Sequence, residues 1–233
     1  MKGANGLHHL AIATRDVKSQ LDFFVDVVGG ELVALYWMHG VENTVHAFVK
    51  LGDKATFAFV QAPEMKDIEP ALGVSHAGFI AGNVAPGVVQ HIAMNVDSED
   101  ELMAMRDRCR AKGHWVMGPA DHGFCKSIYL AAPEGIMLEF STWTHLDTDE
   151  WIDPEVMDHC AISAADIQRY RNPAAFASKG GTVPQPQPKP GFRFTFPPEW
   201  RDKGEALYRM DDEQLCAVFT DTEPPVPKQK KAG

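Results

Sequence analysis

Two histidines occupy equivalent places in a repeated segment of this chain. Residues 7–12 (LHHLAI) return as residues 89–94 (VQHIAM), so that 82 positions separate His9 from His91. Each copy ends in an apolar strand pattern, and Glu139 lies in the second of these between two apolar residues. A carboxylate in such a strand needs a partner or a metal ion to offset its desolvation. We therefore predict that His9, His91 and Glu139 bind one divalent metal ion.

Strand parity decides which histidine of the first copy is the ligand. Side chains alternate across a strand, so His9 shares a face with Ala11 while His8 points to the other face. The repeat pairs His9 with His91, and it pairs His8 with Gln90. Two histidines and one carboxylate that leave coordination positions open are typical of non-haem Fe(II) sites, and Mn(II) and Zn(II) also accept these ligands.

The elements that must position these residues form two copies of one βαβββ unit. Strands are predicted over 7–13, 31–37, 44–50 and 55–61 in the first copy, and over 90–96, near 114–117, 125–131 and 136–142 in the second. Asp16 is expected to cap the first helix, and the second helix is expected over about 98–112. The prediction is an α+β domain over 1–146, with module one at about 5–62 and module two at about 88–146.

Composition changes after the repeat, which predicts a mostly irregular C-terminal extension over 147–233. Within it we expect a helix over 163–170, a Pro-rich arm over 184–190 and a strand over 191–196. The last residues, 225–233, are expected to be disordered. The extension is expected to pack on the core or on a partner subunit, with a lid over the site as the alternative.

Composition also excludes several classes of protein. No run approaches the roughly 18 apolar residues of a membrane span, and the first five residues lead into the first strand without a signal-peptide core. A net charge of -10 opposes general binding to nucleic acid. The four cysteines are scattered without a CxxC pair, which favours reduced thiols in the cytoplasm. We expect a cytoplasmic protein that binds neither membranes nor nucleic acid.

The repeated histidine segments, together with residues 129–139 (YLAAPEGIMLE), resemble the vicinal oxygen chelate superfamily. That superfamily includes glyoxalase I, bleomycin-resistance proteins, methylmalonyl-CoA epimerase and extradiol ring-cleaving dioxygenases. The resemblance covers roughly residues 5–146. It implies that the two modules form a cupped mixed sheet around a metal ion held by His9, His91 and Glu139. Related folds often dimerise, so a homodimer is also expected.

The run from His122 to Glu139 resembles the extradiol dioxygenase signature and departs from it at Ala120. In that family the histidine and tyrosine of this run assist proton transfer, which implies catalytic roles for His122 and Tyr129. Glyoxalase-like members use four protein ligands, and the fourth place falls here on Ala58, which cannot bind a metal. Three protein ligands leave room on Fe(II) for both a bidentate catecholate and O2.

Extradiol enzymes also carry a histidine on the third strand of the first module. Counting back from Ala58 puts Val49 at that place and gives the nearby His46 the opposite strand parity, so that only a bulge or a shifted register would bring His46 inward. The aromatic residues that are candidates to line a substrate pocket are Trp37, His39, Trp115, Phe124 and Trp143.

The first functional expectation is an Fe(II) extradiol-type dioxygenase that acts on a catechol-like aromatic compound. The alternative is a metal-dependent isomerase, epimerase or lyase, for which Ni(II), Co(II) or Zn(II) would serve. The third possibility is a non-catalytic protein that binds or sequesters a small molecule.

Overall fold

The computed structural model describes residues 3–177 and 180–226, which fall into two compact units. One unit contains residues 3–38 and 43–174, and so includes both repeats. The other contains residues 39–42 together with the described residues from 175 onwards. The domain boundary expected at residue 146 stays a prediction.

Module one is a four-stranded mixed sheet with one helix. The helix, α1 (Val17–Asp22), begins at Asp16, whose carboxylate accepts a hydrogen bond from the Ser19 amide, and it continues as a π-helical turn, Phe23–Val27. The strands are β1 (His9–Ala13), β2 (Glu31–Trp37), β3 (Val45–Gly52) and β4 (Ala55–Gln61). Their order is β1-β4-β3-β2, and β1 runs parallel to β4.

Module two repeats this plan. Its helix, α2 (Glu99–Ala111), begins at Ser98, whose hydroxyl accepts from the Glu101 amide. Its strands are β5 (Ile92–Asn95), β6 (Met117–Asp121), β7 (Cys125–Ala131) and β8 (Met137–Trp143), in the order β5-β8-β7-β6. The prediction of two tandem α+β modules is confirmed. The strand expected near 114–117 instead begins at Met117.

Both modules contribute to one hydrophobic core. Phe24, Phe59, Leu102 and Leu138 are fully buried within it, so the helix-facing sides of both sheets meet the same apolar interior. Burial of such side chains contributes roughly 1.5–3 kcal/mol each. The sheet faces that point away from this core are free to carry polar side chains.

Hydrogen bonds from a turn of module two also hold the modules together. Glu134 accepts from the backbone amide of Arg15 at 2.8 Å and from the side-chain amide of Gln20 at 2.9 Å. On the helical side, Arg108 Nε donates to the Val27 carbonyl oxygen at 2.7 Å. These bonds link residues more than 80 positions apart, so they fix one module against the other.

The residues that follow the repeats are partly helical. Within the first unit, α3 (Pro154–His159) and α4 (Ala164–Arg171) follow the last strand, and α4 confirms the helix predicted over 163–170. The second unit contains a 3₁₀ turn (Pro198–Trp200), α5 (Arg201–Leu207) and α6 (Asp212–Phe219). None of the helices in the described residues combines the length and apolar character needed to cross a membrane.

The strand predicted over 191–196 is wrong. Phe194 and Phe196 pack against Tyr208 at the end of α5, with ring centroids 6.4 and 6.3 Å from the tyrosine ring. The alternating aromatics therefore contact a helix rather than a neighbouring strand. Residues 184–190, the predicted Pro-rich arm, have neither helix nor strand. Most of the predicted disordered tail, residues 227–233, lies outside the described residues.

Candidate functional site

Two of the predicted ligands meet on the face of module two that points away from the core. Ala93 on β5 pairs with Glu139 on β8, and His91 precedes Ala93 by two residues. His91 Nε2 lies 3.0 Å from Glu139 Oε2. Glu139 is 8% exposed, so its carboxylate needs this partner or a metal ion to offset desolvation. We call this surface the Glu139 face.

Gln90 fixes the orientation of the His91 ring, a role that sequence reasoning missed. Its Nε2 donates to the carbonyl oxygens of Ile80 and Gly82, at 2.6 and 3.0 Å. Carbonyl oxygens only accept, so the Gln90 Oε1 is the atom that accepts a hydrogen bond from His91 Nδ1. This bond leaves Nε2 directed at Glu139, where a metal ion would bind. The only sequence signal for this role was a side-chain amide directly before His91.

His122 and Tyr129, the predicted catalytic residues, lie beside this pair. Tyr129 pairs with Glu139 across β7 and β8, so both side chains share the Glu139 face. His122 Nε2 is 2.7 Å from the Tyr129 hydroxyl oxygen. Burial raises the pKa of Tyr129, and the negative charge of Glu139 raises it further. Tyr129 therefore holds its proton near neutral pH and is a hydrogen-bond donor there.

A cavity of about 400 Å³ opens over the Glu139 face. The residues that line it are Ala93, Met94, Asn95, His122, Phe124, Cys125, Glu139, Ser141 and Trp143. Phe124 and Trp143 form one side, with ring centroids 5.8 Å apart and planes inclined by 35°; we call these two rings the aromatic wall. The cavity thus combines one polar face with one flat apolar face, which suits a planar ligand that carries oxygen atoms on one edge.

Of the five aromatic pocket residues that sequence suggested, the two of the aromatic wall line this cavity. Trp37 and Trp115 are 65% and 77% exposed, and neither is among its lining residues. His39 belongs to the other compact unit, where its Nδ1 lies 3.8 Å from a carboxylate oxygen of Asp221. Strand alternation alone did not separate the two wall residues from the other aromatics.

The equivalent face of module one carries His9. β1 pairs with β4 so that Ala11 lies beside Ala58, as Ala93 lies beside Glu139. The register therefore puts Ala58 at the position that is equivalent to Glu139. His9 is exposed, its Nδ1 is 2.9 Å from Nδ1 of His8, and its ring lies edge-on to Phe48 at 5.7 Å.

The expected strand parity of His46 is wrong. A β-bulge between Lys50 and Gly52 shifts the β3–β4 register by one residue, so Phe48 rather than Val49 pairs with Ala58. Val49 is fully buried in the core, and His46 lies two residues from Phe48 on the face that carries His9. Simple counting from the turn did not include the bulge and therefore placed His46 on the wrong side.

His46 has a polar partner and a perturbed acidity. Its Nδ1 lies 3.3 Å from the Tyr36 hydroxyl oxygen, and its ring contacts Phe48 with centroids 4.4 Å apart. Burial lowers the pKa of His46, and the positive charge of His9 lowers it further. A neutral imidazole beside a phenol can accept or relay a proton, so His46 and Tyr36 join the candidate site residues.

The structure brings His91, Glu139, Tyr129 and His122 together on module two, while His9 contacts residues of module one. Within the described residues, no group of three or more His, Cys, Asp or Glu side chains is placed to hold a metal ion. The donor atoms still fit such an ion, because an imidazole nitrogen and a buried carboxylate oxygen face each other with a second imidazole at the repeat-equivalent position. The complete ligand set stays a prediction.

The sequence profile of the Glyoxalase/Bleomycin resistance protein/Dioxygenase superfamily matches residues 6–140, which is more than half of the chain. The chain belongs to this superfamily. Its members bind small molecules, typically use divalent metals, and include both enzymes and non-catalytic resistance proteins. No curated protein is significantly similar in sequence to this chain.

Several solved structures are similar to part of this chain at low sequence identity. A glyoxylase/bleomycin resistance protein/dioxygenase domain from Frankia sp. EAN1pec is 12% identical, with a TM-score of 0.48 over 61% of this chain and 100% of that one. TnmS3, an antibiotic binding protein from Streptomyces sp. CB03234, is 17% identical, with a TM-score of 0.44 over 62% and 100%. The fosfomycin resistance protein FosX from Mesorhizobium loti is 18% identical, with a TM-score of 0.43 over 65% and 100%.

Proposed function

We propose that this protein is an Fe(II)-dependent extradiol-type dioxygenase that cleaves a catechol-like aromatic ring. The observation that carries the proposal is the His122–Tyr129 pair, which lies beside the His91–Glu139 pair on the Glu139 face. One member of each pair, His122 and Glu139, lines the cavity over this face, and each lies beside its partner, Tyr129 or His91.

The residues that would hold the metal ion are His9, His91 and Glu139, with Gln90 orienting the His91 ring. When bound, Fe(II) would supply coordination positions for a bidentate catecholate and for O2. Mn(II) is the second choice for the same ligands. Ala58 adds no fourth ligand, which is what supports oxygen chemistry over the four-ligand glyoxalase pattern.

The protein side chains around the cavity would move protons and orient the substrate. His122 would accept a proton from a catechol hydroxyl group and later return it, while Tyr129 would donate a hydrogen bond to a substrate oxygen. The raised pKa of Tyr129 suits a group that donates without ionising. The aromatic wall, formed by Phe124 and Trp143, would stack on the ring and exclude water.

The reaction needs no external reductant. Both atoms of O2 enter the product, and the bond between a hydroxyl-bearing ring carbon and its neighbour without a hydroxyl group breaks. The ring carbons supply the four electrons that O2 accepts, so a catechol becomes a ring-opened hydroxy acid aldehyde with the same number of hydrogen atoms. His122 changes protonation during the turnover and recovers its starting state at the end.

We also propose a cytoplasmic homodimer. The four cysteines are free in the structure, which is consistent with a reducing compartment. β2 is an edge strand of the first sheet, and its Leu35 and Trp37 are 53% and 65% exposed. An exposed apolar edge strand favours pairing with another copy of the chain. Light scattering coupled to size exclusion would give twice the chain mass, whereas a monomer mass would contradict the dimer.

Oxygen consumption distinguishes the reaction classes. The protein, loaded anaerobically with Fe(II), is mixed with a panel of substituted catechols in an oxygen electrode. The proposal predicts one O2 consumed per catechol and a ring-opened product with new visible absorbance. Turnover of a substrate without O2, supported by Ni(II), Co(II) or Zn(II), would instead identify an isomerase, epimerase or lyase. Tight binding without turnover under either condition would identify a binding protein.

A further inference from the structure

Trp151 contacts the aromatic wall although it lies beyond the residues that match the superfamily, 6–140. Its indole meets the ring of Phe124 edge-on, with centroids 4.7 Å apart and planes at 76°. Phe124 in turn faces Trp143 across the wall. Phe124 therefore contacts both Trp143 and Trp151, and all three residues belong to the same compact unit.

The backbone next to Phe124 is shaped to admit this contact. Gly123 has a φ of +83°, and a Cβ atom at this position would lie 2.8 Å from Cζ2 of Trp151. A residue with a side chain would therefore be strained and would also collide with the indole. The glycine allows Trp151 to approach the loop that leads from His122 into β7.

Both sides of the contact are held in place. On the cavity side, Thr144 donates from its backbone amide to the Phe124 carbonyl oxygen at 2.9 Å and from its hydroxyl group to the Gly123 carbonyl oxygen at 2.8 Å. On the other side, the amide of Trp151 donates to the Asp147 carbonyl oxygen at 3.2 Å. Hydrogen bonds therefore hold the backbone on both sides of the contact between Phe124 and Trp151.

An ion pair ties this segment to the following helix. Arg171 at the end of α4 donates to the Asp149 carboxylate at 2.6 Å. The ion pair closes a loop from Asp149 to Arg171, and Trp151 lies within this loop. Because an aromatic ring held on one side has less freedom to rotate, the position of Phe124 depends on a part of the chain outside the two modules.

We propose that Trp151 is a specificity-determining residue that fixes the Phe124 ring and so limits the size of the planar aromatic ligand that the cavity accepts. This inference rests on the proposed function, because it takes the ligand to be a catechol. With Trp151 in place, the wall stacks a single ring closely. Without it, Phe124 gains room to turn outward, which loosens the contact with a single ring and opens space for a second ring.

The test measures binding rather than turnover. Protein loaded with Zn(II), in which oxygen does not consume the ligand, is titrated by calorimetry with catechol and with 3-phenylcatechol. Trp151→Ala is expected to weaken catechol binding about three- to tenfold, as loss of one aromatic contact implies. It is expected to leave 3-phenylcatechol binding unchanged or tighter, so the ratio of the two dissociation constants shifts. Trp151→Phe, which retains an aromatic edge against Phe124, should keep the wild-type ratio.

Trp115→Ala is the matched control, because Trp115 is 77% exposed and does not line the cavity. It should leave both dissociation constants unchanged. An unchanged ratio in Trp151→Ala would overturn the role of Trp151 while leaving the proposed function intact. If Trp151→Ala does not fold, a ratio in Trp151→Leu equal to that of the wild type would overturn it in the same way. Failure of the wild-type protein to bind either catechol would overturn the aromatic ligand class, and this inference with it.

Discussion

The two modules share a backbone plan but carry different side chains at matched positions on the sheet face that points away from the core. Across module one, the matched positions on three strands are Ala11, Ala58 and Phe48. Across module two, the same positions are Ala93, Glu139 and Tyr129. One row is entirely apolar, whereas the other carries a carboxylate and a phenol. At these matched positions, the ionisable side chains therefore lie on module two alone.

This difference shows which face of each sheet the fold constrains. The helix-facing side must be apolar in both modules, because it builds the shared core. The opposite side has no such requirement, so a small buried residue in one copy can stand where a buried carboxylate stands in the other. Module one nevertheless carries His9, the counterpart of His91, and its strands β2 and β3 add Tyr36 and His46.

The largest effect is expected from Glu139→Ala. The change removes the carboxylate of the ligand set and the partner of His91 Nε2, so stoichiometric binding of a divalent metal should be lost. Metal content after equilibrium dialysis measures this directly. Ala58→Gly, at the matched position of module one, is the control and should leave the metal content unchanged.

The two neighbouring histidines of module one sharpen the same test. His9→Ala should reduce metal binding strongly, whereas His8→Ala should not abolish it. Metal loss in His8→Ala with metal retained in His9→Ala would show that the strand register has been assigned to the wrong histidine.

His122→Ala is expected to have the next largest effect. Removal of a group that exchanges protons with the substrate typically lowers turnover about 100- to 10,000-fold. Metal content should remain that of the wild-type protein, because His122 contacts Tyr129 rather than the predicted ligands. Steady-state oxygen uptake measures the rate. An unchanged rate would reduce His122 to a packing residue of the cavity.

Gln90→Leu should have a moderate effect on metal affinity. The change removes the acceptor for His91 Nδ1 and leaves the ring free to rotate. Loss of such a supporting hydrogen bond typically weakens metal binding about 10- to 100-fold. Competition with a chromogenic chelator measures the dissociation constant. His8→Gln, which places the module-two residue in module one, should cost much less; equal losses would mean that Gln90 has no special role.

The smallest expected effect is on how the free energy of unfolding depends on pH through the protonation of His46. Because its pKa lies below the ordinary value of 6.5 in the folded protein, the unfolded chain binds the proton more readily. The contribution of His46 to the free energy of unfolding is fully present above pH 6.5, and it is lost as the pH falls toward the pKa of His46 in the folded protein. Urea unfolding of the metal-free protein between pH 7.5 and 5 should show this loss. His46→Gln should reduce the slope, and a slope equal to that of the wild type would contradict the assignment.

Sequence patterns predicted the module plan and the matched positions well. The repeat has an offset of 82 at His9 and His91 and of 81 at the closing strands, which placed Ala58 and Glu139 at equivalent positions. The strand register of both modules agrees with this placement. The repeat could not reveal the bulge before Gly52. A bulge changes which residues pair across two strands, but it leaves the alternation of side chains before the bulge unchanged. The sheet face on which His46 lies therefore could not be predicted from the sequence.

Contacts between distant segments were also beyond the sequence. The bond from Gln90 to Ile80 depends on how the linker between modules folds back, and no periodic pattern encodes that path. The contact between Trp151 and Phe124 depends on a segment outside the repeat. The aromatic alternation over 191–196 predicted a strand, but those rings pack against a helix instead. In each case, contacts between distant segments determined a conformation that the local sequence pattern did not specify.

We propose that one metal ion joins the two unequal modules, bound by His9 of the first and by His91 and Glu139 of the second. Anomalous diffraction at the zinc edge from crystals of the Zn(II)-loaded protein tests it most directly. We predict one zinc peak per protein chain, within about 2.0–2.2 Å of an imidazole nitrogen of each histidine and of a Glu139 oxygen. A peak bound by module two without His9, or one bound by His8, would contradict it.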